Sequence, residues 1–296
     1  MARARRALQT RRVGHTGTLD PMATGLLVLA VGEGTKLVAY LTEHDKRYEC
    51  TVQFGTTTDS LDADGTTTER AAVPQLSREA LEHACRELEQ CSFQVPPMVS
   101  AVRVDGERLY KRARRGEVLE LAPRPVRLHQ ARVVHVDADS VAVEVACGKG
   151  FYVRAFARDL AQRLGTVGHL SALRRTQVGD DAVDSAVTWT QLDQASRGDE
   201  SSREDVLLRV LPLSAACARL PTVHLDVVGI DHARHGRAVP VANVLDALPA
   251  ADQPVVLRDL DETPIAIARL VGEAMVVSRG FVSPAAVSGA ESTRDP

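Results

Sequence analysis

Asp20 stands in Gly14-His15-Thr16-Gly17-Thr18-Leu19-Asp20-Pro21-Met22-Ala23-Thr24-Gly25, a loop with three glycines. Pro21 biases Asp20 away from the α region, and the glycines let another chain approach the backbone closely. A carboxylate presented in this way is a candidate nucleophile or general base. The competing reading makes Asp20 a helix N-cap with Pro21 as the first helical residue, and spacing alone does not separate the two. A lone carboxylate beside a substrate also needs a cationic partner, and the sequence offers Arg154 in the glycine-flanked turn Lys149-Gly150-Phe151-Tyr152-Val153-Arg154.

The other motifs fail on spacing. Gly32-Glu33-Gly34-Thr35-Lys36 lacks the G-x-x-x-x-G-K-[ST] pattern that wraps phosphates in backbone N–H groups. Asp62-Ala63-Asp64-Gly65 imitates a calcium loop, but the register that puts Gly65 at loop position six puts Ser60 at one and Ala71 at twelve, so both anchoring carboxylates are missing. The nine histidines include no H-E-x-x-H, and His232 and His235 stand without a third ligand. The five cysteines are odd in number and scattered with no C-x-x-C pair, which excludes a disulfide framework or zinc knuckle and points to reduced, cytoplasmic thiols. No metal is expected.

The elements that must hold Asp20 are legible as patterns. Leu26 to Val31 reads as a buried strand, and Tyr48, Cys50, Val52 and Phe54 alternate with Glu49, Thr51 and Gln53, which puts Tyr48 on the apolar side of a second one. Ser77 can cap a helix whose Leu81, Ala84, Cys85 and Leu88 share a face. Val141, Val143, Val145 and Cys147 alternate as a strand, and Val153, Phe156, Ala157, Leu160 and Leu164 form a helix ended by Gly165. Between Pro96-Pro97 and Pro125 an arginine-rich excursion leaves the core, a candidate lid. Short β-like runs at Val223 to Val228, Val255 to Arg258, Pro264 to Leu270 and Ala274 to Ser278 make a small β domain.

Length and charge fit this picture. A chain of 296 residues exceeds the usual single core, so two domains are expected. No apolar stretch approaches the roughly 18–20 residues of a membrane helix, and Arg3, Arg5 and Arg6 precede no apolar signal core. The net charge is only -3, yet residues 1–50, 103–132 and 147–175 together carry +13 and the remainder -16. Brought together, those segments make a basic face of the kind that binds nucleic acid. Aromatics are 3%, which leaves Tyr48, Tyr110, Phe151 and Tyr152 as the candidates for stacking on a base.

In content and order, G-H-T-G-T-L-D-P-M-A-T-G-L-L, K-R-Y, T-D-S-L-D-A-D-G, K-G-F-Y-V-R and H-L-S-A-L-R-R resemble the TruB-type tRNA pseudouridine synthases over about residues 11–178. The resemblance implies that Asp20 is the catalytic aspartate, Tyr48 stacks on the target base, Arg154 pairs with Asp20, Asp62 helps to order the site and Leu173 packs in the pocket. His15 would insert where the flipped nucleotide leaves. Gly17, Lys46 and Lys149 are further substrate-binding positions, and Arg112, Arg114 and Arg115 would hold RNA phosphates. The implied fold is α+β, with a mixed, mainly antiparallel central sheet and a small C-terminal β-rich, PUA-like domain. The expected boundaries are a catalytic domain at 1–198 with an RNA-gripping insertion at about 95–125, a linker at 199–212, the C-terminal domain at 213–283 and a flexible tail at 284–296. The family normally begins with a strand and a Lys-Pro motif some two dozen residues before G-H-T-G, whereas thirteen residues stand there in this sequence, so a shortened sheet and lower stability are expected.

The implied reaction converts uridine to pseudouridine in the T loop of tRNA, at position 55 in tRNA numbering. It breaks N1–C1′, turns the uracil and joins C5 to C1′; nothing is oxidised and no group is imported, so no cofactor is expected. Asp20 can attack sugar or base, or remove the 2′ proton, and the sequence leaves these open. The target must be flipped out while basic loops grip the T arm. A monomer with tRNA as partner and no membrane attachment is expected. Two alternatives remain at this point: a non-catalytic tRNA-elbow binding and folding protein, and a glycoside hydrolase, which needs an opposed carboxylate for which only Asp62 is near.

Overall fold

The alternation around Tyr48 produces a nine-residue strand, Lys46–Phe54, with Cys50, Val52 and Phe54 buried. It is the middle of a mixed sheet in the computed structural model, which describes residues 1–100, 102–104, 106–109, 112, 115–117 and 119–282. Across the sheet the order is Leu128–Val136, Ser140–Cys147, Lys46–Phe54, Gly168–Val178 and Asp181–Ala182, all antiparallel, and Thr24–Gly25 joins Gly168–Val178 in parallel. This is the expected α+β arrangement with a mainly antiparallel sheet.

Two helices cover the apolar face. In Arg78–Glu89, Ser77 accepts the Ala80 N–H through its hydroxyl at 3.1 Å, and Leu81, Ala84, Cys85 and Leu88 are all buried, as the spacing predicts. Val153–Arg163 buries Val153, Phe156, Ala157 and Leu160 in the same core and stops where Gly165 turns to φ +73°. Each fully buried Leu or Phe here contributes about 1.5–3 kcal/mol. The arginine-rich excursion is tied at its root, where Phe93–Gln94 pairs antiparallel with Arg124–Pro125.

The chain divides into two compact units by alternation rather than by halves. Residues 17–28 and 42–186 form the unit just described, and residues 1–16, 29–41 and those from 187 onward form the other. The expected cut at 198 is therefore displaced, and two N-terminal segments belong with the C-terminal part. Within that second unit a five-stranded sheet runs Thr222–His224, Val255–Arg258, Pro264–Val271, Ala274–Gly280 and Val239–Pro240, which supplies the expected β-rich portion.

Three local readings are corrected. The polar stretch expected as a linker contains a helix, Glu200–Leu208, because Asp199 caps it through the Ser202 N–H at 2.9 Å and Val206 packs with Ala7 and Ala195. The run Val223 to Val228 splits into a strand and the helix Val227–Arg234, started by Asp226 accepting the Gly229 N–H at 2.7 Å. Only Leu29–Val31 of the expected Leu26 to Val31 strand forms, paired antiparallel with Val13–His15. The expected tail at 284–296 lies outside the described residues.

Candidate active site

Asp20 opens a turn. Its carbonyl accepts the Ala23 N–H at 2.9 Å, with Pro21 in the next position, so the N-cap reading is set aside and the carboxylate is presented from a β-turn. The loop returns to the sheet at Thr24–Gly25, opposite Arg174 and Arg175. Gly25 sits at φ +93°, and a Cβ there would lie 2.2 Å from the Arg175 carbonyl oxygen, so neither the conformation nor the space admits a side chain.

Arg154, at the start of the Val153–Arg163 helix, meets this loop as its side chain drops to 5% exposure. Nε and Nη2 donate to Asp20 Oδ2 and Oδ1, both at 2.9 Å, while Nη1 donates to the Ser60 carbonyl at 2.8 Å and Nη2 also to the Val99 carbonyl at 2.9 Å. A planar guanidinium suits such a fork, which fixes both the position and the rotation of the carboxylate. Buried Asp62 stands behind it at 3.5 Å from Nη1. The Ser60 hydroxyl and the Asp64 N–H bind Asp62 Oδ1 at 2.5 and 3.2 Å. The Asp20 side chain keeps 30% exposure, so one carboxylate is held from behind and open in front.

Tyr48 is half-buried against the core, on the sheet face that also carries Leu173. Burial pushes its phenol up, Arg175 pulls against that rise, and Asp20 is near enough to act on it electrostatically.

Family models cover residues 5–153, as TruB family pseudouridylate synthase (N terminal domain), and residues 154–217, as tRNA pseudouridylate synthase B C-terminal domain. The chain belongs to the TruB family. Among TruB relatives, the tRNA pseudouridine synthase B of Mycobacteroides abscessus is 40% identical over 258 residues, 85% of this chain and 83% of that protein. The one from Thermobifida fusca is 46% identical over 200 residues, 65% and 68% of the two chains. A chain in the crystal structure of a Cbf5-Nop10-Gar1 complex matches with a TM-score of 0.70 at 21% identity, covering 94% of this chain and 79% of that one. At that identity the likeness speaks for the fold.

The residues singled out by the TruB resemblance fall into distinct groups. Asp20, Arg154 and Asp62 form one connected cluster, and Tyr48 and Leu173 lie on a shared sheet face. Gly17 serves through its backbone, its carbonyl accepting from Arg175 Nη2 at 3.2 Å. Lys46 is buried and its ammonium is tied to the Thr42 carbonyl at 2.8 Å and to that of His44, with burial lowering its pKa. Lys149 is exposed and pairs with Glu43. His15 lies in the other unit, on the Val13–His15 strand. Arg115 forks onto Glu107 at 2.7 and 2.8 Å and also bonds Glu117, and Arg112 stands 3.5 Å from Glu107; Arg114 lies outside the described residues.

The expected basic face is partly consumed inside the fold. Arg154 and Arg175 are 4% and 2% exposed, and Arg158 is bound to Asp159 and the Val95 carbonyl. Sequence reasoning also passed over Ser60, Val99 and Arg175 as parts of the site. Two of these act through carbonyls, which no side-chain pattern reveals. Arg175 did carry a signal, since it ends the H-L-S-A-L-R-R motif and shares the face of Leu173 two residues earlier.

Proposed function

We propose that this chain isomerises uridine to pseudouridine in tRNA, at the T-loop uridine, position 55 in tRNA numbering. Its relatives named tRNA pseudouridine synthase B support the reaction. The observation that carries the site assignment is Asp20 held by both oxygens on a buried arginine while its front remains open.

The chemistry asks for little else. The carboxylate of Asp20 attacks the sugar or the base, or takes the 2′ proton, and the N1–C1′ bond breaks. The uracil turns against the Tyr48 ring, and C5 joins C1′ as Asp20 is released or the 2′ proton returns. C5 gives up its proton while N1 takes one up, so that the composition of the nucleoside is unchanged. Because a stacked uridine is out of reach, the nucleotide is flipped into the site and the arginine-rich insertion holds the T-arm backbone. The working form is a monomer in the cytoplasm. No helix is long and apolar enough to cross a membrane among the described residues.

The test is tritium release from tRNA labelled at uridine C5. The chain should release tritium, and Asp20→Asn should lower release by about 10³-fold or more while tRNA binding stays within about threefold. Residual turnover within tenfold of the parent overturns the assignment of Asp20. Tight tRNA binding without release by either protein favours the tRNA-elbow binding alternative.

A further inference from the structure

Arg175 is among the most buried charged residues of the described chain, at 2% exposure, and its ion-pairing needs are met without a carboxylate. Its Nε donates to the Leu26 carbonyl at 2.7 Å and its Nη2 to the Gly17 carbonyl at 3.2 Å. Its own carbonyl accepts the Leu26 N–H at 2.8 Å. Gly17 and Leu26 bracket the segment that carries Asp20, so one side chain closes both ends of that loop. In the sheet, Arg175 is the direct cross-strand partner of Tyr48, which places both side chains on one face, and its guanidinium acts on the Tyr48 hydroxyl. Burying an arginine against carbonyls alone is costly, and a core built only for packing would use an apolar residue of similar volume.

We propose that Arg175 is a positioning residue: it clamps the two ends of the Asp20 loop and registers that loop against Tyr48, so that carboxylate and aromatic ring reach the flipped uridine as one unit. This rests on the assignment of Asp20 given above. Arg154 fixes the orientation of the carboxylate, whereas Arg175 fixes where its loop stands relative to the stacking face. A lysine at 175 keeps the charge but cannot span Gly17, Leu26 and Tyr48 together. An error of about 1 Å in such a placement costs about 10²-fold in rate.

The experiment compares the parent chain, Arg175→Lys, Arg175→Met and Asp20→Asn in single-turnover tritium release, tRNA binding and the ¹³Cζ resonance of labelled Tyr48. Folded Arg175→Lys should lose about 10²-fold in rate with tRNA affinity held within about threefold and the Tyr48 resonance displaced. A folded Arg175→Lys within tenfold of the parent rate, or with the Tyr48 resonance unmoved, overturns the proposal. If Arg175→Lys does not fold, Arg175→Met decides, because it fills the buried space with an apolar chain and removes the guanidinium without burying a charge. A rate loss with a moved resonance supports the clamp; an unmoved resonance or an unchanged rate overturns it. Loss of activity in Asp20→Asn beside full activity in Arg175→Lys sinks the clamp alone, whereas an active Asp20→Asn sinks the assignment of Asp20 beneath it.

Discussion

Arg154 holds Asp20 by both carboxylate oxygens at 2.9 Å while its own side chain is only 5% exposed. The pair is asymmetric in solvent: the cation is interior and the anion faces outward. Such an arrangement spends the guanidinium on geometry, since its remaining bonds go to the Ser60 and Val99 carbonyls.

Arg154→Lys should therefore behave as a drastic change. A lysine retains the charge, makes one contact to Asp20 at most, and leaves the Ser60 and Val99 carbonyls and Asp62 short of donors. Melting should fall by the equivalent of about 3 kcal/mol and single-turnover rate by about 10²-fold, with tRNA affinity little altered. Thermal melts and tritium release check the two parts separately.

A second expectation concerns the insertion. Glu107 is held down to about 2 by Arg115 and Arg112, so at neutral pH it is a fixed anion in contact with two arginines expected to meet phosphate. Glu107→Gln should remove one carboxylate that neutralises them. Binding to tRNA should tighten at low salt, and the slope of log K against log salt should steepen by about one. Filter binding between 50 and 200 mM KCl measures this, and an unchanged slope would place both arginines off the RNA path.

The root of the same insertion gives a third. Gln94 is 6% exposed and its amide answers Tyr152 twice, donating to the carbonyl at 3.2 Å and accepting the N–H at 2.9 Å. Gln94→Leu keeps the volume, orphans the Tyr152 N–H and leaves its carbonyl with only the Phe156 N–H, which should cost about 2 kcal/mol. Because Val99 lies on this insertion and touches Arg154, the rate should fall as well. Denaturant melts with parallel activity assays test it, and a loss of stability with full activity would separate the insertion from the site.

Several elements were legible because one local signal decided them. Leu81, Ala84, Cys85 and Leu88 lie on a single helical stripe, and the alternation around Tyr48 has the period of a strand, so burial follows from spacing. The Asp20–Arg154 pair was legible through motif content, not through spacing, which left an N-cap open until the turn at Ala23 decided it. What stayed hidden depends on distant partners. The helix Glu200–Leu208 draws its apolar contact from Ala7, and Arg175 faces carbonyls 149 and 158 residues away. A count of arginines has no means of separating those that face solvent from those that bind the fold's own backbone.

The C-terminal sheet offers a prediction in pH. His224 is bridged by Asp246 at 2.8 Å and Glu262 at 2.9 Å, and these carboxylates raise its pKa. A raised folded value means that the imidazolium stabilises the fold fully below the unfolded value of about 6.5 and that this stability is lost as pH climbs through the folded value. Asp246 is lowered, chiefly by the His224 N–H, and its share is already present above about 3.9. Between pH 5 and 9, then, the melting temperature of the parent minus that of His224→Gln should shrink as pH rises. A constant difference would show that the bridge does not depend on protonation.

The alternation of segments between the two units also sets an order of assembly on the ribosome. Residues 1–16 and 29–41 emerge before the rest of their unit, which resumes only at residue 187. At about 5–20 residues per second, the stretch 42–186 takes roughly 7 to 30 s to synthesise. The unit bearing Asp20 can close its sheet during that interval, while the N-terminal segments have only each other, through the pairing of Val13–His15 with Leu29–Val31. Nascent chains arrested so that residue 186 has just cleared the ribosomal tunnel should therefore protect the Lys46–Phe54 strand from protease and leave the Ala2–Ala7 helix, whose core partners include Ala195 and Val206, open to cleavage.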